Sequence, residues 1–127
     1  MNLLAILAAA AALAFAEPRM RPVPPEAARA IREVTAAAKK RDFAALRRSM
    51  IDKFKYSFGG DLDADQAIGR WKEEKRHLTE MVRVLGQPCG LWDYFHVVCP
   101  GNDDLGYRAG LRKTPEGWKL DFFVEGD

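Results

Sequence analysis

The chain has 127 residues, with 20 Lys+Arg against 18 Asp+Glu and a formal net charge of +2. That balance is too small to mark a nucleic-acid binder, and a chain of this size holds one hydrophobic core, not two. Its longest apolar run, Leu3–Ala16, is 14 residues, short of the ~20 that span a bilayer.

In chain order, Met1–Ala16 carries no charge and closes on Ala14-Phe15-Ala16, a small-x-small cleavage site. Residues 1–16 therefore read as a signal peptide cut after Ala16, which delivers the rest to the periplasm or the medium. No cysteine follows directly, which sets aside a lipid-anchored lipoprotein. Residues 17–25 hold four of the seven prolines and form an extended leader, because proline fixes φ and donates no backbone hydrogen bond. Residues 26–127 read as a single α+β domain.

Pro25 suits a first helical position. From there Ala27, Ala28, Ile31, Val34 and Ala38 recur at helical spacing, which predicts a helix over about 25–40. Asp42 is a natural N-cap for a second helix over about 42–51, with Phe43, Leu46 and Met50 as its apolar face. Lys53-Phe-Lys-Tyr-Ser-Phe58 alternates strictly, as a half-buried strand does. Asp61-Leu-Asp-Ala-Asp65 resembles the start of a calcium loop, but Gln66 and Lys72 stand where that loop needs Gly and Glu. The better reading is Asp63 capping a third helix over about 64–85, with Gln66 completing the cap. Gly69 and the polar stretch Lys72–His77 mark where that helix bends or splits.

Cys89 and Cys99 are the only cysteines, an even count that suits a disulfide in an exported protein. A straight strand would hold them roughly 33 Å apart, whereas a disulfide needs Cα atoms about 4.4–6.8 Å apart. Either the chain reverses between them or they are two buried free thiols. Gly90 and Asp93 place a reversal near Gly90–Asp93 and a strand over about 94–99. A bridge closing so short a loop is worth about 2–3 kcal/mol. Strands over about 105–113 and 118–125 follow, joined by the tight turn Thr114-Pro-Glu-Gly117. Trp118, Leu120, Phe122 and Val124 are expected on one face of the last strand, with Arg108 or Arg112 pairing across to Asp121.

Charge is unevenly placed. Residues 17–60 carry 11 basic and 5 acidic residues, and residues 61–127 carry 9 and 13. The plain reading is a solvated basic helical face; the functional one is a surface for anionic envelope lipid or an acidic partner.

Asp42-Phe-Ala-Ala-Leu46, Ile51–Phe58, Gly59-Gly60, Asp65-Gln-Ala-Ile68 and Trp71 together resemble the opening of the NTF2-like (SnoaL-like) superfamily. The resemblance covers about 45 residues. It implies a cone-shaped domain of three helices packed on a strongly curved mixed sheet, expected here to be small and mainly antiparallel. Here the sheet after the third helix is short, so the pocket is expected to be shallow or absent. The C-terminal part, Tyr107–Leu111, Gly117–Leu120 and Phe123–Asp127 with Cys99-Pro100, resembles small exported bacterial proteins of uncharacterised function, and brings no activity with it.

Few residues carry chemistry. His96 shares a strand face with Tyr94 and has Asp93 nearby, which makes His96 and Asp93 the leading general-base candidates. The superfamily resemblance adds Asp52 and Tyr56 as polar groups lining a cone pocket. His77, in Lys75-Arg76-His77, reads as a surface residue. The two histidines lack metal-ligand spacing, no serine sits in a nucleophile context, and no phosphate-binding glycine loop is present. No metal or cofactor is expected. Trp92, beside the expected turn, is the tryptophan to test for exposure. The reading is a non-catalytic binding or interaction module of the cell envelope, with an envelope protein or a small ligand as partner. The alternatives are a small-molecule enzyme or carrier using His96/Asp93 or Asp52/Tyr56, and a structural envelope protein docking its basic N-terminal helices, including peripherally on a membrane.

Overall fold

The structure, a computed structural model, describes residues 20–56, 63–101 and 106–125. The signal-like segment, the start of the leader, Phe58, Gly59-Gly60 and Asp61 lie outside that range. Among the described residues no helix is long and apolar enough to cross a membrane.

Pro25 opens helix α1 (Pro25–Lys40), as its preset φ favours, and Ala27, Val34, Ala37 and Ala38 form the buried stripe. Arg41 ends the helix in the left-handed region at φ 54°. Its N–H bonds to Ala38 O and that of Asp42 to Ala37 O, the paired closure of a Schellman motif. Asp42 then caps α2 (Phe43–Arg48), accepting from Ala45 N at 3.1 Å. Two residues thus end one helix and begin the next.

Strand β1 (Met50–Lys55) starts three residues before the expected 53. Met50 and Ile51 are strand residues, not the end of a helix running to 51. Their helical spacing is overridden by parallel pairing with the last strand, Met50 against Leu120. Leu120 N bonds to Ser49 O at 2.7 Å, and the Ser49 hydroxyl bonds back to Ala45 O.

Asp63 caps α3 (Ala64–Glu73) through Asp65 N and Gln66 N, as expected. The expected 64–85 helix is two helices, α3 and α4 (Arg76–Leu85). Four residues after the buried Trp71 a continuous helix would carry the Lys75 ammonium toward the core, which costs far more than a break. Each half then turns its own stripe inward: Ala64, Ala67, Ile68 and Trp71, then Leu78, Met81, Val84 and Leu85.

Four further strands complete the sheet: β2 (Gly90–Asp93), β3 (His96–Cys99), β4 (Tyr107–Thr114) and β5 (Gly117–Glu125). The order is β1-β5-β4-β3-β2, with β1 parallel to β5 and the other pairs antiparallel. The helices pack on one face of this open mixed sheet around Met50, Phe54, Trp71, Met81, Leu111 and Leu120.

Two further expectations need correction. Cys89 and Cys99 are bonded, with Cα atoms 4.4 Å apart, but the reversal is at Tyr94–Phe95. Gly90–Asp93 is strand, and the expected 94–99 strand begins only at His96. The turn is held by the Asp93 carboxylate, which accepts from Phe95 N at 2.7 Å. The second correction concerns β5. Gly110 pairs with Phe122 but Leu111 pairs with Leu120, so Asp121 is an extra residue, a β-bulge. Past it the faces swap. Phe123 joins Leu120 on the helix side, and Phe122 turns outward over Gly110, where its ring occupies the space a Cβ would need. Asp121 pairs with Lys55 at 3.0 Å, not with Arg108 or Arg112.

The end of the leader is part of the sheet. Leu91 N bonds to Arg21 O at 2.8 Å, and the Met20 side chain lies against Gly90.

Candidate functional site

The two ends of the sheet carry different groups. At the end where β4 begins and β5 finishes, the described residues Tyr56, Arg70, Trp71, His77, Tyr107, Phe123 and Glu125 line a cavity of about 420 Å³. The floor is aromatic. Trp71 meets Phe54 edge-on at 5.5 Å and Phe123 at 6.0 Å, and Tyr107 stacks on Phe123 at 5.1 Å.

The break between α3 and α4 puts polar groups on the wall. His77 lies in the first turn of α4, with its side chain only 12% exposed. Its Nδ1 is 3.2 Å from the Tyr107 hydroxyl. Its Nε2 is 3.3 Å from Glu74 Oε2 but not aligned for a hydrogen bond, and this buried nitrogen makes none among the described residues. Burial first, and then the Glu125 carboxylate, push the Tyr107 phenol above the ordinary tyrosine value of 10.0. Tyr107 is therefore a neutral phenol at physiological pH, with one proton shared between Glu125 and His77 as acceptors. Arg70, with Arg76 and His77 behind it, holds the Glu74 carboxyl below its usual range. The mouth thus offers an aromatic floor, in which only Tyr107 and Phe123 lie parallel, and a short polar row.

Of the residues singled out by sequence, Tyr56 lines this mouth. Asp52 does not. It is 90% exposed and accepts from Arg47 at 2.8 Å, while the same guanidinium holds Asp65 at 2.8 Å. Arg47 depresses the Asp52 carboxyl and ties α2, β1 and α3 together. His96 and Asp93 do meet, with Nδ1 2.9 Å and 3.0 Å from the two carboxylate oxygens, but beside the β2–β3 turn and away from the cavity. There Phe95 N–H first, and His96 second, lower the Asp93 pKa. Sequence reading missed His77, Tyr107, Arg70 and Glu125. A signal for His77 existed: His77, Met81 and Val84 fall at i, i+4 and i+7, the edge of the α4 stripe.

At the opposite end stands the β2–β3 hairpin. Its tip exposes Trp92 (68%), Tyr94 (74%) and Phe95 (57%), the large exposed hydrophobic residues among those described. The Arg21 guanidinium sits 5.0 Å over the Tyr94 ring. Lys113 N bonds to Phe95 O at 2.8 Å, and the Cys89–Cys99 bridge closes the base. Among the described residues no group of three or more His, Cys, Asp or Glu is placed to hold a metal ion.

No protein-family profile and no curated protein matches the chain. Among solved structures it is similar to an NTF-2 like protein of unknown function from Shewanella oneidensis MR-1, with 11% identity and a TM-score of 0.52, over 80% of this chain and 97% of that one. It also aligns with a putative ketosteroid isomerase from Shewanella frigidimarina NCIMB 400, with 13% identity and a TM-score of 0.48, over 78% and 93%. The likeness to the first is one of fold: helices on an open, mixed five-stranded sheet, consistent with the NTF2-like cone.

Proposed function

We propose that the chain is an exported, non-catalytic binding module of the cell envelope, and that the β2–β3 hairpin is the surface it binds with. One observation carries this. Three large aromatic side chains stand exposed within four residues, on a hairpin closed by a disulfide. Soluble monomers rarely leave such a cluster in water without use for it, and Trp and Tyr are the side chains that interfaces favour. The uncharged segment 1–16 and the disulfide both suit an oxidising compartment outside the cytoplasm.

Two measurements test it. Cell fractionation with N-terminal sequencing is expected to find a chain beginning at Glu17 outside the cytoplasm; a retained Met1 in the cytoplasm overturns export. Purified chain should bind isolated envelope, and Trp92→Ser/Tyr94→Ser/Phe95→Ser should lose that binding. Equal binding by both overturns the hairpin.

A second reading rests on the buried His77 Nε2, 3.3 Å from Glu74 and without a hydrogen bond among the described residues. A compact aromatic ligand with a hydrogen-bonding group fits the mouth between Tyr56, His77 and Tyr107. His77→Gln and Tyr107→Phe would weaken such a ligand while leaving envelope binding intact.

A further inference from the structure

We infer that the hairpin tip seats in the headgroup region of an anionic lipid bilayer. This rests on the hairpin being the binding surface and names what it binds. The exposed parts of Trp92, Tyr94 and Phe95 amount to roughly 450 Å² of ring-bearing surface, taking about 150–250 Å² per aromatic side chain. That is about half of the ~800 Å² each partner gives to a standard protein interface. It is, however, the composition found where proteins meet membranes. Trp and Tyr rings sit at the boundary between acyl chains and headgroups, with Phe on the apolar side.

Charge points the same way. Arg21 lies on the Tyr94 ring. Arg112 pairs in register with His96, and Lys113 is exposed and joined through its backbone to Phe95. Of the nearby carboxylates, Glu116 lies 3.9 Å from Lys119, and Asp93, which accepts from Phe95 N and meets His96, keeps its charge, so the cations outnumber it at the tip. Three cations beside a wedge of three aromatics complement a surface of phosphates, each contributing when it comes within a Debye length. The wedge is also preformed. A two-residue turn, a carboxylate cap, a neighbouring strand and a disulfide fix it, so seating it orders little.

The test is co-sedimentation of the chain from Glu17 onward, which holds every described element, with vesicles. Its fold is checked by near-UV dichroism. Phosphatidylcholine vesicles containing phosphatidylglycerol should bind it, with Trp92 emission shifting to the blue. Pure phosphatidylcholine should bind it far less. Trp92→Ser/Tyr94→Ser/Phe95→Ser should reduce binding at least about tenfold, and Arg21→Gln and Lys113→Gln about fivefold each. Equal binding to both vesicle types, or binding indifferent to the three rings, overturns the inference. If vesicles fail while envelope binding still depends on the rings, the partner is a protein and only the bilayer falls. If envelope binding is also indifferent, the hairpin reading falls with it.

Discussion

The two ends of the sheet use aromatic residues in opposite ways. At the cone mouth Trp71, Tyr107 and Phe123 face one another, and their polar neighbours come from three separate regions of the chain. At the hairpin Trp92, Tyr94 and Phe95 face water, held by the turn and bridge within Cys89–Cys99, by β4 paired along β3, and by Arg21. The first end is ordered by packing and collapses if a ring is lost. The second is ordered by a covalent closure and a turn, so its rings are free to be used. A side chain that contributes little to stability yet is held in place is the kind a protein spends on binding.

The sharpest way to break this contrast is one truncation at each end. Phe123→Ala should cost about 3–5 kcal/mol in urea unfolding. Phe95→Ala should stay within about 0.5 kcal/mol. Similar losses at both would mean the hairpin rings are structural. Next in size, Cys89→Ser/Cys99→Ser should cost about 2–3 kcal/mol and leave the Tyr107 phenol titration unmoved, as read by phenolate absorbance. A moved titration would show that the two ends are coupled.

The smallest effect separates the ends by pH. The Tyr107 pKa is raised in the fold, so what it contributes is present below 10.0 and is lost as pH rises through the folded value. The Asp93 pKa is lowered, so its turn cap contributes above 3.8 and is lost as pH falls through the folded value. Tyr107→Phe should therefore flatten the alkaline limb of the stability profile, and Asp93→Asn the acid limb. Either variant flattening the other limb would contradict the assignment.

What the sequence revealed divides along the same line. The β4–β5 hairpin was legible because both strands alternate and Thr114-Pro-Glu-Gly117 is a turn by composition. The capping of α2 and α3 was legible because Asp42 and Asp63 act on their own neighbours. The disulfide was suggested by the even cysteine count and reach demanded a reversal inside it, but where that reversal falls was not legible. Tyr94 and Phe95 are not turn formers, and the residue that shapes the turn, Asp93, works through its side chain while standing in a strand. Met50 and Ile51 looked helical because their partner, β5, lies some seventy residues away. The Asp121 bulge inverted the face of Phe122 and Phe123, which no local period encodes. Of the cone mouth only Tyr56 was found. His77 was masked by Lys75 and Arg76, and it is buried only because the helix breaks just before it.

One modest contact has a larger consequence. An open sheet ends in a strand with unpaired backbone groups, a template on which another molecule's strand can add. On the β2 side that position is taken by the protein's own chain: Arg21 O receives Leu91 N, Met20 covers Gly90, and Pro22, without an N–H, stands next in line. The hairpin can therefore present aromatic rings at its apex while the middle of its outer flank is already paired with the protein's own chain.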